Sequence, residues 1–228
     1  MLLLLIGALV SWLPYVGFIG SFCTLIGAIL VILGRKAFGH DHRRNVLISI
    51  LLFVIGLGFI IIGAIVSIVA ALSAPTSSEA QLAAAMLTAL TDLLVIIAIG
   101  SAITGLSSVF FVYALQKKEG RILLWAAYGS SIGIQVAILY VLFPQLPAIA
   151  AAIAHQAIVS GSLDSGAISN AITSATFTIN LLVVVPSLLY AAANYLAWTR
   201  ITRGEIPAPP AQPAAPTMAP PAPPINPM

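Results

Sequence analysis

Between Asn45 and Ser73 the chain reads VLISILLFVIGLGFIIIGAIVSIVAAL (Val46–Leu72), without a single charged residue. A helix needs about 20 mostly apolar residues, at about 1.5 Å each, to cross a hydrocarbon core of roughly 30 Å. Val46–Leu72 meets that length and predicts a transmembrane helix. Four further stretches meet the same criterion, approximately Tyr15–Leu33, Leu93–Leu115, Ile122–Phe143 and Phe177–Thr199, each bounded by charged, Gly or Pro residues. The expected fold is all-α: a polytopic integral membrane protein with five transmembrane helices over residues 1–203, plus short extracytoplasmic helical segments.

The composition agrees. Of 228 residues, 61% are apolar and 7% charged, against roughly 25% charged in soluble domains. Too few charges are present to coat a water-facing surface. Nine Lys and Arg are also too few for the phosphate contacts of a nucleic-acid binder. Cys23, the sole cysteine, excludes a disulfide scaffold and any Cys-based zinc or iron–sulfur site within the chain.

Cytoplasmic loops collect Lys and Arg, and here the basic residues vote together. Arg35, Lys36, Arg43 and Arg44 lie between the first two spans, Lys117, Lys118 and Arg121 between the third and fourth, and Arg200 and Arg203 after the fifth. The other connections, Ser73–Gln81 and Pro144–Ala175, hold Glu79 and Asp164 and no base. The expected orientation places the C-terminus in the cytoplasm and, for an odd number of spans, the N-terminus outside. Sorted by side, all nine bases join Asp41, Glu119 and Glu205 inside, leaving Glu79, Asp92 and Asp164 outside.

Leu2–Leu33 as one helix would reach about 48 Å, beyond the core. Residues 2–13 are therefore expected to lie at the interface or fold back, hinged at Pro14 between Trp12 and Tyr15. The run has neither the leading base nor the A-x-A site of a secretory signal peptide; a missing upstream helix is the alternative. In the outer connections, Thr76 and Glu79 fit a capping box that starts the third helix, and Pro147–Val159 reads as a short Ala-rich helix closed by a turn at Gly161–Asp164. Residues 204–228, with proline at ten of 25 positions, read as a disordered, polyproline-like cytoplasmic tail. Its P-x-x-P matches lack the flanking bases that orient Pro-rich ligands.

Membrane helices associate through small residues. Gly20, Gly27 and Gly34 recur at intervals of seven, as do Ser49, Gly56, Gly63 and Ala70, which predicts an antiparallel pair matching Gly27 with Gly56 and Gly20 with Gly63. Gly129-x-x-x-Gly133 in the fourth span and Ser101-x-x-x-Gly105 in the third have the same small-to-small character. Intrachain packing, a homo-oligomer contact and chance all produce such spacings.

Few residues suggest chemistry. Asp92 lies at the outer interface by helix length, where it is either a solvated carboxylate or a substrate or cation contact. Thr173, Thr176, Asn180 and Ser187 form a polar stripe on the fifth span, with Ser169, Asn194 and a kink at Pro186, and Gln135, Ser130 and Ser131 lie mid-way along the fourth. They make either interhelical hydrogen bonds or a narrow polar path. His40-Asp41-His42 has metal-ligand character, but neighbouring bases repel a cation and adjacent ligands converge poorly, so no metal or cofactor is expected. Arg35, Lys36, Arg43 and Arg44 suit anionic lipid headgroups instead. No G-x-S-x-G, H-E-x-x-H, Walker or Rossmann motif occurs.

The stretches Leu4–Leu9, Pro14–Gly20, Gly27 and Gly34–Gly39, together with the Tyr- and Arg-bearing end of the fifth span and its Pro-rich tail, resemble small archaeal multi-pass membrane proteins of unknown function. The resemblance covers mainly the N-terminal third; it implies a helical membrane fold and brings no activity, catalytic residue or cofactor. The expectation is a non-enzymatic accessory, scaffold or assembly component of a membrane complex, partnered by lipid and by other membrane proteins or copies of itself. A small transporter or channel built on the fourth and fifth spans is the alternative.

Overall fold

The computed structural model describes residues 1–10, 17–73, 78–160 and 181–206, with Gly166, Thr173 and Phe177 in addition. Among these residues the chain is helical throughout: α1 (Leu2–Val10), α2 (Gly17–Gly34), α3 (His40–Leu72), α4 (Glu79–Tyr113), α5 (Lys118–Leu142), a 3-10 turn (Phe143–Gln145), α6 (Leu146–Ser160) and α7 (Val184–Thr202). Three stretches are long and apolar enough to cross a membrane: α3, α4, and α5 with α6 taken together from Lys118 to Val159. Phe18–Gly34 is apolar but shorter. Within the most apolar parts of the three long stretches, 17, 11 and 22% of residues are buried in the fold, so most of their apolar side chains face outward and need a nonaqueous surrounding.

The long helices stack in sequence. α3 and α4 run antiparallel and make the most extensive contact in the fold. α4 then runs antiparallel to α5 and α6 along its full length: Arg121 sits over the Tyr113 ring, Tyr128 donates to Ala102 O at 3.2 Å, and His155 meets Glu79 at 3.1 Å. Pro144 opens the 3-10 turn that joins α5 to α6, where its missing N–H breaks the α-helical ladder. α7 packs on α5 and α1, and α1 folds back on α2.

Local chemistry sets the helix ends. Ser78 caps α4, its Oγ accepting from Gln81 N at 3.3 Å. The expected Thr76–Glu79 box is thus displaced: Glu79 is the first helical residue, and its carboxylate reaches His155 instead. Thr76 itself lies outside the described residues, as do Trp12, Pro14, Tyr15 and the Gly161–Asp164 turn. At Leu182–Val183 the α-helical hydrogen-bond ladder is interrupted by a turn, with Val183 still at φ −59° and ψ −19°, and it resumes at Val184. The cause is Pro186, which has no N–H for the Leu182 carbonyl; Val185 N takes that carbonyl at 2.9 Å.

One core joins six helices. Leu4 (α1), Val31 (α2), Val46 (α3), Val109 and Val112 (α4), Leu124 (α5) and Ala193 (α7) pack together toward the end of the bundle that carries the bases. Met1 packs at that same end, against Leu115, Ala197 and Ile206. Counting an odd number of spans placed the N-terminus opposite; in the structure the fold-back of α1 onto α2 returns Met1 to the basic end.

Candidate functional site

The three basic segments converge on one end of the bundle. Arg200 Nη1 donates to Leu115 O across the α4–α5 connection, and Arg200 Nε pairs with Glu205 Oε2 at 3.2 Å, which also meets Lys117 Nζ at 2.9 Å. Lys117 first, then Arg200, hold the Glu205 carboxyl below its ordinary pKa. Gly204, at φ 69°, supplies the left-handed turn that lets Glu205 N bond back to Arg200 O at 2.9 Å and lets Ile206 bury against Leu115, Ala197 and Ile201. The chain therefore leaves α7 from a fixed point. Gln116 fixes the same corner: its buried Nε2 donates to Ala193 O at 2.8 Å, and its Oε1 fills the space beside Gly120 where a Cβ would sit.

Around this corner Lys36, Arg43, Arg44, Lys118 and Arg203 are exposed and Arg35 is half-buried, with no ion pair to any of them among the described residues. The His40-Asp41-His42 triplet does not converge. The His40 and Asp41 side chains are 86 and 91% exposed and 3.8 Å apart, whereas His42 is buried against the Phe38 ring. No group of three His, Cys, Asp or Glu among the described residues is placed to hold a metal ion.

The glycine stripes are used, with different partners from those expected. A Cβ at Gly56 would lie 2.8 Å from Gly100 O and 2.7 Å from Thr104, and one at Gly63 would strike Ile96. Ser49 and Ser107 continue the line toward the basic end. So the stripe on α3 mates with α4. On α2, a Cβ at Gly27 would meet Leu4 N at 3.0 Å, and Gly20 O approaches the Gly7 Cβ position at 2.8 Å. The match of Gly27 with Gly56 and Gly20 with Gly63 does not form, because α1 folds onto the small face of α2 that would have made it.

The fourth-span glycines differ. A Cβ at Gly129 or at Gly133 meets nothing within 4 Å among the described residues. Val136 and Tyr140, one and two turns further on, are exposed, Tyr140 by 82%. Gly105 by contrast lies under the Tyr128 ring of α5, 3.2 Å from its Cβ position.

The polar residues are scattered. Ser187 Oγ donates to Val183 O at 2.9 Å, and Ser130 and Ser131 both donate to Ala127 O at 2.9 Å, all within their own helices. Gln135 is half-buried on α5, and Thr173 is helical and exposed. Thr176 and Asn180 lie outside the described residues. The reciprocal Ser49–Ser107 contact and the Gln116–Arg200 corner escaped sequence reasoning, which offered only a Ser on a small-residue stripe and polar residues at a predicted helix end. A cleft of about 220 Å³ also opens between α3 and α4, bounded by Val66, Ser67, Ala70, Asp92, Val95 and Ile96.

No family model, curated protein or solved structure matches the chain.

Proposed function

We propose that this chain is a non-enzymatic integral membrane protein of five spans that serves as an accessory or scaffold component, binding another membrane helix through the Gly129–Tyr140 face of α5. The observation that carries this reading is a contrast among glycines. Gly7, Gly27, Gly56, Gly63 and Gly100 have no room for a Cβ, while Gly129 and Gly133 have nothing within 4 Å among the described residues. Small residues in membrane helices support close helix approach, and the pair Gly129 and Gly133, four apart on one face of α5, lacks such a neighbour among the described residues, as single Gly58 on α3 also does. The second and third spans are α3 and α4; the first is α2 with its folded-back α1, the fourth α5, and the fifth ends in α7.

In this reading the basic end faces the cytoplasm, as the bias of Lys and Arg requires, and Arg35, Lys36, Arg43 and Arg44 bind anionic headgroups there. Each such base near a charged surface contributes about 1 kcal/mol. The segment beyond Ile206 enters the cytoplasm from the Glu205 clamp. A solute path through α5 and α7 is the less supported alternative, since Ser130, Ser131 and Ser187 already donate to carbonyls of their own helices.

Gentle extraction from native membranes tests the proposal. A stoichiometric partner or a discrete oligomer should accompany the wild-type chain and be lost from Gly129→Leu/Gly133→Leu. A chain that emerges only as a monomer contradicts it.

A further inference from the structure

We infer that the cleft beside Asp92 binds the ammonium headgroup of a membrane lipid. The cleft combines a carboxylate, the Ser67 hydroxyl and four apolar walls in about 220 Å³, the room of roughly seven waters at about 30 Å³ each. Asp92 is exposed to it and has no hydrogen bond or ion pair among the described residues. No cation of this chain can supply one: neither Arg44–Lys117 nor Arg121–Arg200 contains a Lys or Arg between its ends, and His155 is taken by Glu79. At headgroup level an exposed carboxylate is met by water or by a cation, and any cation that pairs with Asp92 comes from outside the protein.

Depth and surroundings choose the source. Tyr113, at the basic end of α4, lies 21 residues beyond Asp92, about 31 Å along the helix. That is close to the thickness of the hydrocarbon core. If Tyr113 marks one boundary, Asp92 marks the other, at headgroup level. Val66, Val69 and Val95 around it are 60, 54 and 39% exposed, an apolar flank for the acyl chains of the same molecule. A free amine would use Asp92 and leave that flank idle. The inference rests on the membrane-embedded reading of α3 and α4 but not on helix docking at α5.

Native mass spectrometry of the full chain released from bilayers of mixed phosphatidylethanolamine and phosphatidylglycerol tests it. The wild-type chain should retain phosphatidylethanolamine preferentially. Asp92→Asn, isosteric and exposed, should lower that preference about fivefold, the scale of an exposed charge pair. Ala70→Phe, which fills the cleft and spares Asp92, should lower it as well. Equal retention of both lipids by the wild-type chain, undiminished preference in Asp92→Asn, or displacement of the lipid by millimolar ethanolamine would each overturn the inference. Alkaline carbonate extraction separates the two levels of failure: a chain released by carbonate defeats the embedded reading itself, whereas a carbonate-resistant chain without lipid preference defeats this inference alone.

Discussion

Ser49 and Ser107 donate to one another's carbonyl oxygens across the α3–α4 seam, at 2.9 and 2.8 Å, with their Oγ atoms 2.9 Å apart and both residues buried. Each hydroxyl has one proton, so when both serve the carbonyls none is left for the Oγ–Oγ contact. The two bonds are then independent. Interhelical hydrogen bonds in membranes contribute about 0.6 kcal/mol each. Ser49→Ala and Ser107→Ala should each destabilise by about that amount, and the double variant by close to their sum. Unfolding in mixed micelles measures this, and a coupling well above the single effects would assign the seam to the Oγ–Oγ bond.

Glycine positions on α3 separate contact from composition. Gly56→Ala places a Cβ 2.8 Å from Gly100 O, which is backbone and must shift, at a cost of about 1–3 kcal/mol for an overpacked seam. Gly58→Ala meets nothing within 4 Å among the described residues and should be neutral or stabilising, by up to about 1 kcal/mol of helix propensity. Equal loss of stability in both variants would contradict the α3–α4 pairing.

The Glu205 clamp has a signed pH dependence. Lys117 and then Arg200 hold its carboxyl below the ordinary value of 4.5, so the folded state binds that proton less tightly than the unfolded chain. Its stabilising contribution is complete above pH 4.5 and is lost as the pH falls through the lower folded-state value. Glu205→Gln reproduces the acid form at neutral pH. The amide at position 205, bonded to Arg200 O, should then exchange faster and trypsin should cut after Arg203 sooner; unchanged rates would show that the turn holds without the charges.

At the opposite end, His155 and Glu79 tie α6 to the start of α4 at 3.1 Å, with side chains 67 and 52% exposed. An exposed pair of this kind contributes at most about 1 kcal/mol. His155→Ala should therefore leave global stability within that range while increasing hydrogen exchange in the first turn of α4. Loss of the whole fold would mean that the contact carries far more than its exposure allows.

Much of the architecture is legible in the residues. Runs such as Val46–Leu72 announce helices without help from context, Pro186 announces the break at Leu182–Val183, and the nine bases announce their common end. Partner choice is not legible. Gly20, Gly27, Gly56 and Gly63 mark faces, but a glycine stripe accepts any close neighbour, and short connections allow either adjacent helix. The decision fell to Leu2–Val10, whose fold-back onto α2 leaves α3 free to meet α4. The Arg200–Leu115 and Gln116–Ala193 bonds were hidden for a related reason: they join residues far apart in sequence whose proximity only the packed bundle creates.

The most direct test of the proposed role is site-specific photo-cross-linking in native membranes, with a benzoylphenylalanine at Val136 or Tyr140 on the open face of α5 and at Ile62 as a comparison. All three side chains are exposed in the fold, by 59, 82 and 66%. Discrete protein adducts, to a second copy or to a partner, are expected from Val136 and Tyr140, and only lipid adducts from Ile62. Lipid adducts alone from all three positions would contradict that role.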